Sequence, residues 1–354
     1  MNRRRAPRPQ LARRHPLLGT IALLAGVAAL VAAGISVVAI ASSPTSHGKV
    51  AASQATSKHQ LHLAHLRHLG TGGQPAQQAS SANTLCGTLI GHPAHISHVI
   101  WIMLENRSYS QVIGAPYIST LASKCGVATN YHNVTHPSLP NYIAMTSGRP
   151  MGALPTTDCP GFCRVSGPSI FTQTNSWGVF AESMPGHCVR HDARPYVAHH
   201  TAAPYYTSVT NCASKDVPLT ALNLAALPAF SLIIPNVNND MHENSSSVAA
   251  GDAWLRVHLG AILASSTYRS GSTVVFVTWD EGGVPRSTNN CATNSTDPGC
   301  HVALLTMSPY TQPGSRWTAL ANHYSLLAVT EHLLGFPYLG MAASAPSIRT
   351  AFRL

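Results

Sequence analysis

An α/β fold, built on a central, mostly parallel β-sheet flanked by helices, follows from three features of this 354-residue sequence. Four short runs, 99–104, 230–234, 273–279 and 302–307, are apolar and β-branched with little polar alternation, the pattern of strands covered on both faces. Helix-length stretches, notably 247–266 and 322–334, fall among them, and alternation of strand and helix is what a doubly covered sheet requires. Each run also ends abruptly in polar residues. In such sheets the groups beyond the carboxyl ends of the strands converge on one ligand-binding edge, so function is sought at those endings.

The chain divides by composition. Residues 1–16 are basic, with Arg3, Arg4, Arg5, Arg8, Arg13 and Arg14, and residues 17–41 carry no charge at all. At about 1.5 Å per residue that run is long enough to cross a bilayer, and the arginines would keep the N-terminus cytoplasmic. It reads either as a transmembrane signal anchor or as a cleaved signal peptide, because Ala39-Ile40-Ala41 has the small-x-small form of a cleavage site. Arg13-Arg14 also fits twin-arginine export. Each version places the remainder outside the cytoplasm, in the cell envelope or secreted. Residues 42–84 are rich in His, Ser, Ala and Gln and poor in large apolar side chains, as a disordered tether should be. Within it His59, His62, His65 and His68 recur every third residue, a pattern compatible with weak metal or surface binding and with a simple solvated linker.

The formal charge of +10 belongs to these leading segments. Residues 1–84 contain no Asp or Glu, whereas basic and acidic residues nearly balance over 85–354. A nucleic-acid role is therefore excluded from the expectation, and no segment points to a protein partner. All eight cysteines (Cys86, Cys125, Cys159, Cys163, Cys188, Cys212, Cys291, Cys300) lie in 85–354. An even number in an exported domain reads as disulfides. Cys188 with Cys212 and Cys291 with Cys300 are near-neighbour pairs, zinc competes for Cys159 and Cys163, and the full connectivity stays open.

Taken in order, the run 99–104 leads into Glu105-Asn106-Arg107-Ser108-Tyr109. The stretch Thr135-His136-Pro137-Ser138-Leu139-Pro140-Asn141-Tyr142 follows, with a hydroxyl between two prolines where an irregular segment turns apolar. Proline suits the first turn of a helix, so Ser138 is expected at or just before a helix N-terminus, where free N–H groups and the helix dipole favour an anion. An ordinary capping serine is the plainer reading of the same pattern. Residues 150–173, rich in Pro, Gly and Thr, read as a surface excursion stapled by two cysteines. The run 230–234 leads into residues 235–242, with Asp240 and His242, and 273–279 leads into Asp280-Glu281-Gly282-Gly283. Trp101, Trp254 and Trp317 are expected in the core or an interface, and Tyr205 and Tyr206 either pack or wall a pocket. His301 opens the fourth run and falls close to the same edge.

The domain has few carboxylates, yet Glu105, Asp240, Asp280 and Glu281 all stand directly after predicted strands. Gathering them at one edge is costly unless a cation neutralises them, so a divalent metal is inferred, with Glu105, Asn106, Asp280 and Glu281 as oxygen ligands. Its identity is open among Ca, Mg, Mn and Zn. Such an ion would favour the alkoxide of Ser138 and polarise a phosphoryl oxygen. Asn141, three residues on, is expected to face the same group, and His200, His242 and His323 are the imidazoles placed to donate to it.

Together the segments at 105–109, 136–142, 239–242 and 279–283 resemble those of the phosphoesterase family that contains bacterial phospholipases C and acid phosphatases, which is similar in fold to the alkaline-phosphatase superfamily. The resemblance covers residues 97–340. It implies an alkaline-phosphatase-like fold, Glu105 and Asn106 in the first metal pair, Ser138 as nucleophile, and Asp280 and Glu281 in the later acidic pair. It further implies site histidines at His242, at His323 in Asn322-His323-Tyr324-Ser325, and at His200 in the segment similar to the acid-phosphatase branch, with His199 as the other choice there. Asp240, His242 and His323 would hold either a second metal or phosphate. The phospholipase C branch generally carries threonine where Ser138 stands. The expectation is an exported metal-dependent phosphatase that cleaves small phosphomonoesters through a phosphoseryl intermediate on Ser138. A phospholipase C-type phosphodiesterase is the first rival, and a non-catalytic surface module that binds metal or polymer through the His-rich tether is the second.

Overall fold

The computed structural model describes residues 85–354 apart from 160–162, 243–246, 285–287 and 294–295. The apolar run at 17–41 and the tether at 42–84 lie outside the described residues. Among those described, no helix is long and apolar enough to cross a membrane.

The elements follow in the order β1 His98–Leu104, α1 Tyr109–Val112, α2 Pro116–Lys124, β2 Gly126–His132, α3 Ser138–Ser147, α4 Ile170–Gln173, β3 Trp177–Ala181 and β4 Asp216–Pro218. After these come β5 Phe230–Ile234, α5 Ser247–Ala264, β6 Thr273–Trp279, β7 His301–Met307, β8 Ser315–Trp317, β9 Ala321–Asn322 and α6 His323–Leu334. The strands form one sheet in the order β4-β3-β5-β1-β6-β7-β2-β8, with β9 also on β2. The central strands β1, β5 and β6 are buried almost end to end, which explains why their sequences are apolar without alternation.

The sheet is mixed rather than parallel throughout. β7 runs antiparallel to both β6 and β2, while β1, β5, β3 and β4 pair in parallel. The reason lies in the connection at 280–300. It leaves the carboxyl end of β6 and re-enters at the same edge, so the next strand must run back. The start of β7, at His301, therefore lies on the edge where β1 and β6 end, and its carboxyl end at Met307 points away.

All eight cysteines are paired: Cys86–Cys125, Cys159–Cys163, Cys188–Cys212 and Cys291–Cys300. Bonded to each other, Cys159 and Cys163 are lost to zinc. Trp101 is fully buried and its indole N–H donates to Thr330 Oγ1 at 2.9 Å, tying β1 to α6. Trp254 is buried and Trp317 half-buried on β8. Tyr205 and Tyr206 are both buried, and the Tyr206 hydroxyl meets Thr146 Oγ1 at 2.7 Å, so they pack behind α3.

Candidate active site

Ser138 is the first residue of α3, a helix whose ten residues are all buried. The helix forms there because Pro137 holds an extended conformation as N-cap and Pro140 in the first turn needs no N–H partner. Asp158, from the stapled excursion, caps the same turn by accepting from Leu139 N–H at 2.9 Å. The Ser138 side chain is nearly enclosed, at 4 % exposure, and its hydroxyl donates to Glu105 Oε2 at 3.2 Å.

Glu105 leaves the end of β1 and Asp280 the end of the neighbouring β6, two strands in parallel register from Leu104 to Trp279. The two carboxyls stand side by side, Asp280 being the first neighbouring charge that raises Glu105. A hydroxyl and two acids far apart in the chain thus meet at one point. Asn106, in the left-handed region at φ 46°, turns its N–H onto Asp280 Oδ1 at 3.0 Å. The glycines after the acidic pair make this approach possible. A Cβ on Gly283 would lie 2.1 Å from the Asn106 carbonyl oxygen, and one on Gly282 2.3 Å from the Gly299 carbonyl oxygen. Asp240 reaches the same place from β5: its backbone carbonyl accepts from Glu105 N–H at 2.8 Å, and Met241 behind it holds φ 80°, a rare conformation for a non-glycine residue.

These acids stand in a low-dielectric place. Burial, reinforced by Asp280 and Asp240, holds the Glu105 carboxyl well above the ordinary carboxylate range. Burial and then Glu281 push Asp280 up to about 7. His200 lies between two of them, with Nε2 3.4 Å from Glu105 Oε2 and Nδ1 3.9 Å from Asp240 Oδ2. Burial keeps its imidazole well below the ordinary value, hence neutral. His199 is only half-buried and sits edge-on behind it, 4.6 Å between ring centroids, so of the two histidines His200 is the one that faces the acids.

Other expected residues stand elsewhere or act differently. The Asn141 amide oxygen accepts from the N–H groups of Val134 and Thr135, and its NH₂ donates to the carbonyls of Thr135 and Pro137. All four of its hydrogen-bonding positions are used within the turn before α3, so it shapes that turn and does not reach toward a ligand. His323 is fully buried, with Nε2 on the Asp280 carbonyl oxygen at 2.7 Å and Nδ1 on the Tyr131 hydroxyl at 3.0 Å. Neither ring nitrogen is left for metal or phosphate, and burial holds the ring down at about 4. It braces the end of β6. Glu281 turns Oε2 onto His136 Nδ1 at 2.7 Å. The half-buried His242 stands at the rim, with its backbone N–H on Asp240 Oδ1 at 2.8 Å. His301 stacks on Tyr109 at 4.7 Å and its Nε2 meets the Thr129 carbonyl oxygen, packing that edge rather than facing the acids.

Two contributors had no role assigned from sequence. The buried Tyr142 hydroxyl donates a short hydrogen bond to Glu105 Oε1 and its ring stacks on His200. His136 engages Glu281. Both lie inside the motif, and the signal available was helical spacing: Tyr142 is four residues after Ser138, on the same face.

Residues 115–337 match the model of the phosphoesterase family, a span that includes Ser138, Asp240 and Asp280. A phosphatidylinositol-3-phosphatase of Mycobacterium tuberculosis is 33% identical over 268 residues, covering 71% of this chain and 81% of that protein. An acid phosphatase of Aspergillus fumigatus is 27% identical over 256 residues, 68% of this chain. This chain spans only 55% of the fungal protein's length. Among solved structures, a protein in the alkaline phosphatase superfamily from Vibrio parahaemolyticus superposes with a TM-score of 0.52 at 12% identity, covering 78% of this chain and 77% of that one, a likeness of fold.

Proposed function

The chain belongs to the phosphoesterase family and is a hydrolase of phosphoric esters, and from that premise we propose that it is an exported, metal-dependent phosphomonoesterase with Ser138 as nucleophile. The observation that carries this reading is the Ser138 hydroxyl at the start of a buried helix, donating to Glu105 with the Asp280 carboxyl beside it. The similarity to proteins named phosphatases favours a monoester over the diester cleaved by a phospholipase C. The name of the mycobacterial relative adds that the monoester can sit on a lipid headgroup.

The donor set fits a hard cation. Two buried carboxyls stand side by side and are held above their ordinary range, the state expected when the charge that should neutralise them is a cation. Glu105 and Asp280 would hold it, with the Asn106 side chain and Ser138 as neutral oxygen donors, a set that suits Ca, Mg or Mn better than Zn. Among the described residues, the compact groups of three or more metal-type side chains are His136 with Cys291 and Cys300, and Cys188 and Cys212 with Asp216; both contain a disulfide and neither competes. When bound, the ion supplies Lewis-acid polarisation of a phosphoryl oxygen and lowers the serine pKa.

The residues of the chain do the rest. Glu105 Oε2 takes the Ser138 proton as the Oγ–P bond forms and the P–O bond to the alcohol breaks, the departing alkoxide being protonated by water. A second water then displaces the serine oxygen, which recovers its proton from Glu105. His200, neutral through burial, serves as an N–H donor to the phosphoryl oxygens, and Tyr142 holds Glu105 in place. Export accords with four disulfides, which persist in oxidising compartments. The test is phosphate release from p-nitrophenyl phosphate and from short-chain phosphatidylinositol 3-phosphate, with and without chelator. Acid quench should trap phosphate on Ser138; turnover that survives Ser138→Ala sinks the reading.

A further inference from the structure

We propose that an apolar cavity beside the site, between α5 and the β3–β5 edge of the sheet, binds the hydrocarbon chain of an amphiphilic phosphomonoester, an inference that rests on the phosphatase reading and names its substrate class. The cavity measures about 600 Å³ and is walled by Met184, Leu219, Leu222, Leu224, Ile233 and Ile262. That volume is within the roughly 300–1,000 Å³ of sites that take small organic ligands.

Two of its polar neighbours, Glu182 and Ser183, are already committed. The Glu182 carboxylate accepts from Asn236 N–H at 3.0 Å and from the Asn239 amide, Ser183 Oγ accepts from the Asn236 amide at 2.9 Å, and His258 stacks on Trp254 at 4.2 Å. A wall of mostly aliphatic side chains, with Glu182 and Ser183 bonded to the protein, selects for a chain of methylenes. The side open to water is flanked by Val257, a large apolar residue left 65% exposed on α5. Solvent exposure there is relieved when a ligand lies across it.

Register sets the distance to the chemistry. Ala181 pairs with Ile234 and Ile102 with Ile233, so Glu182 at the cavity stands level with Leu104, two strands away. At roughly 4.8 Å per strand that is about 10 Å from the start of the Glu105 segment. A headgroup spans such a gap, which leaves the phosphoryl at Ser138 and the chain in the cavity. The two places also share a turn: Glu182 holds Asn236 N–H, and the Asn236 carbonyl accepts from Asp240 N–H at 2.8 Å.

The experiment uses n-alkyl phosphates from butyl to decyl, below their micelle concentrations, on the parent and on Val257→Asp and Leu222→Asp. In the parent KM should fall about two- to fourfold per added methylene until the cavity is filled. Val257→Asp, on an exposed helical position that tolerates charge, should flatten this dependence and raise KM for decyl phosphate at least tenfold, with p-nitrophenyl phosphate turnover unchanged. A parent without chain-length dependence, or variants that keep it, overturns the proposal while leaving the phosphatase intact. If no monoester is hydrolysed at all, the phosphatase reading fails first. Titration calorimetry of decyl phosphate into Ser138→Ala and Ser138→Ala/Val257→Asp protein then decides the cavity by itself: tighter binding to the first supports it, equal or absent binding to both rejects it.

Discussion

Buried carboxyls occur in two kinds of place in this molecule, and the contrast separates architecture from chemistry. Asp252, buried on α5, faces the first turn of α2 and accepts from the N–H groups of Tyr117 and Ile118 at 2.9 to 3.0 Å. It is a tertiary N-cap, matched to donors that would otherwise be orphaned. Glu331 on α6 similarly accepts from Leu339 N–H at 3.0 Å and from the Gln173 amide. Glu105 and Asp280 instead stand side by side, with a serine hydroxyl on Glu105. Acids matched to N–H groups stabilise the fold, whereas acids gathered against one another cost stability until something with positive charge joins them.

The sharpest way to break this contrast is at the nucleophile. Ser138→Ala should lower kcat on the order of 10³-fold or more with little change in Tm, measured by phosphate release and calorimetry. Retained turnover would make the clustered acids a structural feature like the others. Asp280→Asn comes next. It should lose bound metal and activity by elemental analysis and assay, yet in chelator at pH 8 it should stabilise the protein by about 1–3 kcal/mol. The sign follows from its raised value: with the carboxyl held at about 7 instead of near 3.8, the folded state favours the neutral form. Stability from that form is full below the lower value and lost as pH rises through the higher one. Asparagine escapes the loss.

Asp252, fully matched to N–H groups, should behave oppositely. Asp252→Ala removes the α2 cap and should cost about 1–2 kcal/mol by urea denaturation, with activity per folded molecule unchanged. The smallest effect refines the distinction. Burial pushes Glu331 up to about 7 from an ordinary 4.5 despite its two donors, so it too is destabilising when ionised. Glu331→Gln should match the parent near pH 4.5 and gain roughly 1 kcal/mol over it as pH rises through 7, followed by thermal melts across that range. A difference independent of pH would mean that the side-chain shape, and not its charge, decides.

How much of this was readable beforehand varies by residue. The runs that became β1, β5, β6 and β7 were legible because central strands need apolar side chains on both faces. β2 was not, because Thr129, Asn130 and His132 break the apolar run, and their polar atoms find partners only in the fold, His132 on Asn130 and Thr129 on Trp317. Ser138, Glu105 and Asp280 stood out because a hydroxyl between prolines and acids at strand ends are costly patterns to place without purpose. Asn141 and His323 misled for one shared reason. An amide or imidazole in a motif has several donors and acceptors, and which partner satisfies them depends on neighbours distant in the chain. Tyr142 was hidden in the other direction, because an aromatic in an apolar run reads as core until its hydroxyl is seen on Glu105.

Local order and residue chemistry alone therefore determined the α/β class, the strands of the sheet centre and the three groups of the candidate site, because strand burial and the expense of gathered acids both leave marks in composition and spacing. Tertiary structure alone decided the reversal of β7, the pairing of Cys86 with Cys125 and of Cys159 with Cys163, and whether each polar side chain in the motifs turns toward a ligand or toward the protein. A buried hydrogen-bonding group takes whichever partner the packing brings within about 3 Å, and that partner is set by the folded chain as a whole.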